Sequence, residues 1–88
     1  MLNQCILVGR IKEMKDDHIV VAVSRPFKNE KGMYDTDMIR VEISGSLAKN
    51  TLEFCTKGDL VGIKGRIGQG NKVYVEKITF LSSKKQEN

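Results

Sequence analysis

The chain is poor in the residues on which most catalytic and metal sites depend. Its 88 residues include no tryptophan, one histidine, one proline and two cysteines. One histidine and two distant cysteines leave no ligand cluster for zinc, so we expect no metal and no cofactor. The carboxylates at Asp16–Asp17 and Asp35–Asp37 lie in polar, turn-like stretches, where solvated surface charge is the usual role. No glycine-rich phosphate loop precedes a helix, and together these shortages predict that the protein is not an enzyme.

Long apolar runs are also missing. No stretch approaches the ~20 apolar residues needed to cross a bilayer, and the N-terminus lacks the basic start and cleavage site of a signal peptide. Cys5 and Cys55 each lie in an apolar context, which favours two reduced core thiols over a disulfide. We therefore expect a cytoplasmic protein with no membrane partner.

The composition of the chain is typical of a soluble protein, and basic residues outnumber acidic ones. Apolar residues make up 40% and charged residues 30%, which is typical of a folded domain. The net charge of +4 permits a polyanionic partner without requiring one. A domain of this size buries a modest core, so self-association is a common route to adequate stability.

Alternating hydrophobicity predicts three strands, then a helix, then two strands. The predicted strands cover residues 4–12, 18–25, 38–44, 59–67 and 72–81, and the helix covers residues 46–58. The first strand is apolar on both sides, with Ile6 and Val8 on one side and Cys5 and Leu7 on the other. The order is that of an OB-fold, an all-β, partly open, five-stranded barrel with one helix between strands 3 and 4. We expect this domain over residues 1–82 and a short polar tail over residues 83–88.

Two local features set the predicted limits of these elements. Pro26 has no backbone N–H to donate, so the second strand is predicted to end there. In the helix, Ala48, Leu52 and Cys55 recur at helical spacing and form the predicted buried stripe.

Residues 24–37 place a phenyl ring among cations. Phe27 lies between Arg25 and Lys28, and Tyr34 follows nearby. Single-stranded nucleic acids are held by cations that follow the phosphates and by flat side chains on which bases stack, each stack contributing roughly 1–3 kcal/mol. Further outward-facing groups on the third and fourth strands are Met38, Arg40, Lys64 and Arg66. If these strands adjoin the loop, one surface collects both features and predicts nucleic-acid binding.

The aromatic residues also have plainer interpretations. Phe27 could cap the open end of the barrel, and Tyr34 could pack against its own loop. Tyr74 could pair with a neighbouring strand. Phe54 and Phe80 are interpreted as core or interface residues.

Three segments together resemble the bacterial single-stranded DNA-binding proteins of the SSB family. They are "N..ILVGR" at residues 3–10, "SRPFKN" at residues 24–29 and "KG.LVG..GRI" at residues 57–67. The similarity is collinear and extends from Leu2 to about Leu81. It implies an OB-fold that binds single-stranded DNA without sequence preference and assembles as a homotetramer, with a dimer as the alternative.

The resemblance also implies which residues act. The stacking aromatic of the family falls on Phe27, a second aromatic position falls on Met38, and a basic position falls on Arg40. The predicted DNA-binding set is Phe27, Arg25, Lys28, Tyr34, Met38, Arg40, Lys57, Lys64, Arg66, Lys72 and Tyr74. The first strand of the family helps form the dimer, so the predicted oligomer interface is Leu2, Gln4, Cys5, Ile6, Leu7 and Val8.

The sequence departs from the family pattern at several points. Met38 replaces an aromatic residue and could serve interface packing as readily as base contact, and Ser44 stands at a further aromatic position. The connection "GQGN" is short where the family often has a long basic arm. No acidic peptide ending in Pro-Phe follows, so we expect no recruitment of repair enzymes by the tail. These departures favour a compact accessory or mobile-element form of the family.

The function predicted from all of these features is sequence-independent binding of single-stranded DNA, which would protect the strand during replication, recombination or repair. The alternative is an OB-fold protein–protein module of a replication or primosome complex with weak nucleic-acid binding. RNA is a third candidate ligand, because stacking and cations do not read the 2′-hydroxyl.

Overall fold

The computed structural model describes residues 3–83, which form five β-strands, one α-helix and one 3₁₀ turn. The strands are β1 (Cys5–Met14), β2 (His18–Lys28), β3 (Tyr34–Glu42), β4 (Leu60–Ile67) and β5 (Val73–Ser82). The helix α1 (Gly45–Phe54) separates β3 from β4, and the 3₁₀ turn (Gln69–Asn71) separates β4 from β5. In this part of the chain no helix is both long and apolar enough to span a membrane.

Strand pairing runs around a ring in the order β1-β2-β3-β5-β4, and β4 returns to β1. All the pairings are antiparallel except that between β3 and β5. That parallel seam consists of two residue pairs, Val41 with Val73 and Glu42 with Tyr74. The predicted five-stranded OB-type barrel with one helix between the third and fourth strands is confirmed, and its narrow seam fits the partly open form.

The core is made by alternate residues of the strands, as the period of two requires. The largest fully buried side chains are Ile11, Ile19, Ile63, Val21, Val41 and Val61. On β1 the two-sided prediction is confirmed, because Leu7 packs against this core while Ile6 and Val8 are exposed. Cys5 and Cys55 are both free thiols.

The helix is shorter than predicted, and its buried face is rotated. Ala48 and Cys55 are buried as expected, but the prediction for Leu52 is wrong because 40% of its surface is exposed. Thr51 is buried instead, which it tolerates because its hydroxyl donates a 2.7 Å hydrogen bond to the carbonyl oxygen of Leu47. The polar side chain is therefore satisfied within its own helix.

The turn after the helix is tied to β1. The amide of Gly58 donates to the carbonyl of Ile11 at 2.8 Å, and the amide of Ile11 donates to the carbonyl of Asp59 at 3.0 Å. The buried carboxylate of Asp59 accepts a 2.9 Å hydrogen bond from the amide of Thr56. These bonds fix the place where β4 begins, which gives the "KG" segment a structural role.

Asn3 extends the pairing of β1 with β4 through its side chain. Its Nδ2 donates to the carbonyl of Ile67 at 2.7 Å, and its Oδ1 accepts from the amide of Ile67 at 3.0 Å. A side-chain amide that both donates and accepts in this way imitates one more residue pair of the ladder. The first letter of the motif "N..ILVGR" is thus explained by strand pairing.

A methyl group has no room at Gly9. A Cβ atom there would overlap the carbonyl oxygen of Ala22, whereas a Cβ atom at Gly62 would meet only Leu81 Cδ1 at 3.7 Å. We expect Gly9→Ala to lower the free energy of unfolding by about 1–3 kcal/mol, the range for overpacking, and Gly62→Ala to leave it nearly unchanged. Urea denaturation of the two variants measures this, and equal losses would contradict the close approach of β1 to β2.

Candidate nucleic-acid interface

The hairpin between β2 and β3 carries the loop that the sequence predicted as the binding element. The prediction that β2 ends at Pro26 is wrong, since the strand continues to Lys28, which pairs with Tyr34. The register shifts between Ser24 and Lys28, and Pro26 lies in this irregular part. There its missing N–H breaks no regular ladder bond. We call residues 24–37 the β2–β3 arm.

The tip of the arm is a turn organised by Asn29. Its Oδ1 accepts hydrogen bonds from the amides of Lys31 at 2.8 Å and Met33 at 3.0 Å, and its Nδ2 donates to Asp35 at 3.0 Å. Gly32 has a φ of 78°, which a residue with a side chain rarely adopts. The arm therefore has a defined shape without packing against the barrel core.

Phe27 is the most exposed large hydrophobic residue of the described chain, with 81% of its surface accessible. A ring that capped the open end of the barrel would be covered, so that interpretation does not fit. Tyr34 is also exposed, and Lys28 Nζ lies 5.9 Å from the centre of its ring. The arm thus presents one uncovered ring and a second ring beside a cation.

The outer face of β3 continues this surface onto the barrel. Met38 is 63% exposed, and Arg40 lies two residues further along the same face. Across the sheet, Met38 pairs with Ala22, which pairs with Arg10 of β1. Arg10 was absent from the predicted set; the parity of β1, which puts it on the side of Ile6 and Val8, is the signal that could have found it.

On the β5 side of β3, paired residues continue this surface across the parallel seam. Glu42 pairs with Tyr74 of β5, and Tyr74 pairs with Arg66 of β4. The guanidinium of Arg66 lies 5.0 Å from the centre of the Tyr74 ring, while a Cβ atom at Gly68 would be 2.6 Å from Tyr74 Cε2. Tyr74 therefore packs against both Arg66 and Gly68 and is less free for stacking than Phe27. This fits its interpretation as a cross-strand partner.

The predicted lysines occupy different parts of the surface. Lys72 immediately precedes β5 and interacts electrostatically with Glu42 at the seam. Lys64 pairs with Ile6 of β1, and Lys57 lies in the turn that is bonded to β1. The structure thus brings the arm, β3 and the seam into one continuous surface, with Lys64 and Lys57 towards β1.

The predicted arginines are all engaged by carboxylates. Arg25 donates from Nε and Nη2 to the two oxygens of Asp37 at 3.0 and 2.9 Å, and its Nη1 lies 3.8 Å from Asp35. Arg40 donates from Nε and Nη2 to Glu42 at 2.7 and 3.4 Å. Arg66 Nε lies 3.8 Å from Glu76 Oε2.

These pairs affect both charge and titration. The hydrogen bonds from Arg25 hold the pKa of Asp37 below its ordinary value, and those from Arg40 do the same for the pKa of Glu42. Both carboxylates therefore remain ionised throughout the neutral range. Within the described chain the four lysines of the set form no ion pair, so their positive charge is less compensated than that of the arginines, although Lys72 lies near Glu42.

An apolar surface lies on the outside of β1, on the same side as Arg10. Ile6 is 67% and Val8 is 50% exposed, and Leu81 lies over Gly62, the strand partner of Val8. We call Ile6, Val8 and Leu81 the β1 patch. Of the other predicted interface residues, Gln4 is exposed, Cys5 and Leu7 are half-buried, and Leu2 lies outside the described residues.

Phe54 and Phe80 are not core residues. They are 73% and 52% exposed and line a shallow groove beside the helix, together with Ile78. The prediction that they could be core residues is wrong. The helix ends at Phe54, and its buried side is formed by Thr51 and the following Cys55. The interface half stays a prediction.

Known sequences similar to this chain are described as single-strand or single-stranded DNA-binding proteins. The family model described as "Single-strand binding protein family" matches residues 2–79. The single-stranded DNA-binding protein B of Bacillus subtilis is 33% identical over 99% of this chain and 96% of its own length. That alignment runs over 109 positions against the 88 residues here, so the relative has residues that this chain lacks. Single-stranded DNA-binding protein 3 of Listeria innocua is 33% identical, and the chain spans 66% of its length.

Solved structures share the fold. A mitochondrial single-stranded DNA binding protein from S. cerevisiae superposes with a TM-score of 0.68 at 18% identity, covering 94% of this chain and 99% of its own. A small single-stranded DNA-binding protein from Streptomyces coelicolor gives a TM-score of 0.65 at 18% identity, with 91% and 94% covered. At such low identity the likeness shows the shared fold alone.

Proposed function

The chain belongs to the single-strand binding protein family, and from this membership and the surface described above we propose that it binds single-stranded DNA without sequence preference. The observation that carries the proposal is the exposure of the Phe27 ring on the β2–β3 arm, flanked by Arg25 and Lys28. Large apolar side chains are left in water at a cost, so an uncovered ring beside cations points to a ligand with flat apolar faces and negative charge. Single-stranded DNA has both.

The geometry supports a division of roles. Phe27 stacks on a base, Tyr34 and Met38 offer further contact area, and the lysines meet phosphates. Every base has a π-face, and the exposed rings present no set of donors and acceptors that would select one base, so binding is independent of sequence. The contribution of Tyr74 is smaller, because its ring already packs against Arg66 and Gly68.

Self-association through the β1 patch is the second part of the proposal. Ile6 and Val8 face water in a chain whose small core leaves little stability in reserve. Covering them with the same strand of another copy would bury both and continue the binding surface across subunits. We propose a homotetramer, with a dimer as the smaller form.

The biological setting follows from these properties. A sequence-independent binder of single strands protects them during replication, recombination or repair. A cytoplasmic location fits the two free cysteines, because reducing compartments keep thiols unpaired. The predicted tail beyond residue 83 lies outside the described residues.

Binding of fluorescent oligo(dT) followed by anisotropy tests the proposal. If the four lysines of the set each contact a phosphate, log K falls with log[salt] at a slope of about −2.8, which is about a 50-fold loss between roughly 50 and 200 mM salt. Matched oligo(U) distinguishes DNA from RNA as the preferred strand. Absent binding at low salt, together with retention of one replication protein in a pull-down, would contradict the proposal and favour the protein–protein module.

A further inference from the structure

The arginines that are expected to contact phosphates form ion pairs with carboxylates. Arg25 directs all three guanidinium nitrogens at acids, two of them in a bidentate pair with Asp37 and the third towards Asp35. Arg40 uses two nitrogens on Glu42. We propose that Asp37 and Glu42 restrain DNA binding by competing with phosphate for Arg25 and Arg40. The inference rests on the proposed function and assigns these two acids a role in setting affinity.

The arrangement of the guanidinium group supports this role. A carboxylate and a phosphate both accept the parallel N–H bonds of the guanidinium fork, so they compete for the same edge of Arg25. The edge that includes Nε and Nη2 is taken by Asp37. A phosphate can reach that edge only when Asp37 moves aside, and an ionised Asp37 that stays nearby repels it.

The Arg25–Asp37 pair is open to solvent on both sides, because the two side chains are 57% and 44% exposed. In the second pair Arg40 is 52% exposed, whereas Glu42 is only 16% exposed. Exposed ion pairs are weak and exchange partners readily, in contrast to buried ones. The Arg25–Asp37 pair therefore contributes little to the stability of the fold.

The competition has a thermodynamic consequence. An arginine that stays paired with a carboxylate neutralises no phosphate, so it releases none of the cations condensed on the DNA and adds little to the salt dependence of binding. Freeing it adds about one phosphate contact, which steepens the salt slope by about 0.7 and tightens binding about fivefold at 0.1 M salt. The acids thus keep a basic protein from holding its strand tightly.

The test compares Asp37→Asn with Glu53→Gln on the exposed face of the helix, since both remove one negative charge. Binding to oligo(dT) is measured at several salt concentrations, and circular dichroism checks that each variant folds. We expect Asp37→Asn to bind about fivefold more tightly with a steeper salt slope, and Glu53→Gln to change affinity less than twofold. Glu42→Gln is a second, independent variant with the same expected direction.

A double-variant cycle makes the assignment to Arg25 specific. Arg25→Ala is expected to abolish the gain from Asp37→Asn, so that the double variant binds no more tightly than Arg25→Ala alone. Equal gains for Asp37→Asn and Glu53→Gln would overturn the inference in favour of net charge alone. Weaker binding by Asp37→Asn would overturn it by showing that the carboxylate positions Arg25. In both cases the wild type still binds, whereas a wild type that fails to bind refutes the proposed function itself.

Discussion

Phe27→Ala is expected to weaken binding to oligo(dT) by about 5- to 150-fold, because one base loses its stacking platform. Phe27 is 81% exposed and has no role in the core, so the variant should fold as the wild type does. Phe27→Trp should retain or improve binding, since the larger ring stacks at least as well. Anisotropy titrations at one fixed salt concentration measure all three proteins.

The matched control is Phe54→Ala. Phe54 is 73% exposed and lies at the end of the helix, away from the β2–β3 arm, so it tests the loss of an exposed phenyl ring as such. We expect its affinity to stay within about twofold of the wild type, because it removes no stacking contact. Similar losses for the two alanine variants would exclude the arm as the stacking site.

A combined Ile6→Asp and Val8→Asp variant is expected to dissociate the assembly into monomers. Both side chains are on the exposed side of β1, so the substitutions leave the core untouched but place two charges in the proposed interface. Burying unpaired charges is far less favourable than leaving them in water. Size-exclusion chromatography with light scattering should find an oligomer for the wild type and a monomer for the variant.

Leu52→Asp provides the control for this experiment. Leu52 is an apolar residue on the helix that is 40% exposed and lies outside the β1 patch. Its substitution should therefore leave the mass of the assembly unchanged. A doubly substituted protein that keeps the wild-type mass would show that the subunits meet elsewhere. The groove beside Phe54 and Phe80 would then be the next surface to test.

The strands and the helix were predictable because the patterns that indicate them are local. Alternation along β1 separates Leu7 from Ile6 and Val8 whatever the rest of the chain does, and the helix is indicated by its own 3.6-residue spacing. Where the sequence failed, the deciding contact was not local. Leu52 and Thr51 are both compatible with a helical stripe, and only the satisfied hydroxyl of Thr51 lets it take the buried position.

In the candidate nucleic-acid interface, too, local patterns could be predicted from the sequence and non-local contacts could not. The composition of residues 24–31 was sufficient to predict Phe27 as a stacking candidate, because a ring among cations is visible in the sequence alone. The pairing of Arg25 with Asp37 depends on cross-strand register, which a proline-containing irregularity shifts by an amount that no local pattern fixes. The number of free cations was therefore overestimated from the sequence.

The most direct measurement is a photo-cross-link between the protein and oligo(dT) containing 5-iododeoxyuridine, followed by mass spectrometry of the modified peptides. An exposed, stacking Phe27 on the β2–β3 arm predicts adducts at Phe27, with fewer at Tyr34, and their loss in Phe27→Ala. Adducts confined to Phe54 or Phe80 beside the helix, with none on the arm, would contradict it.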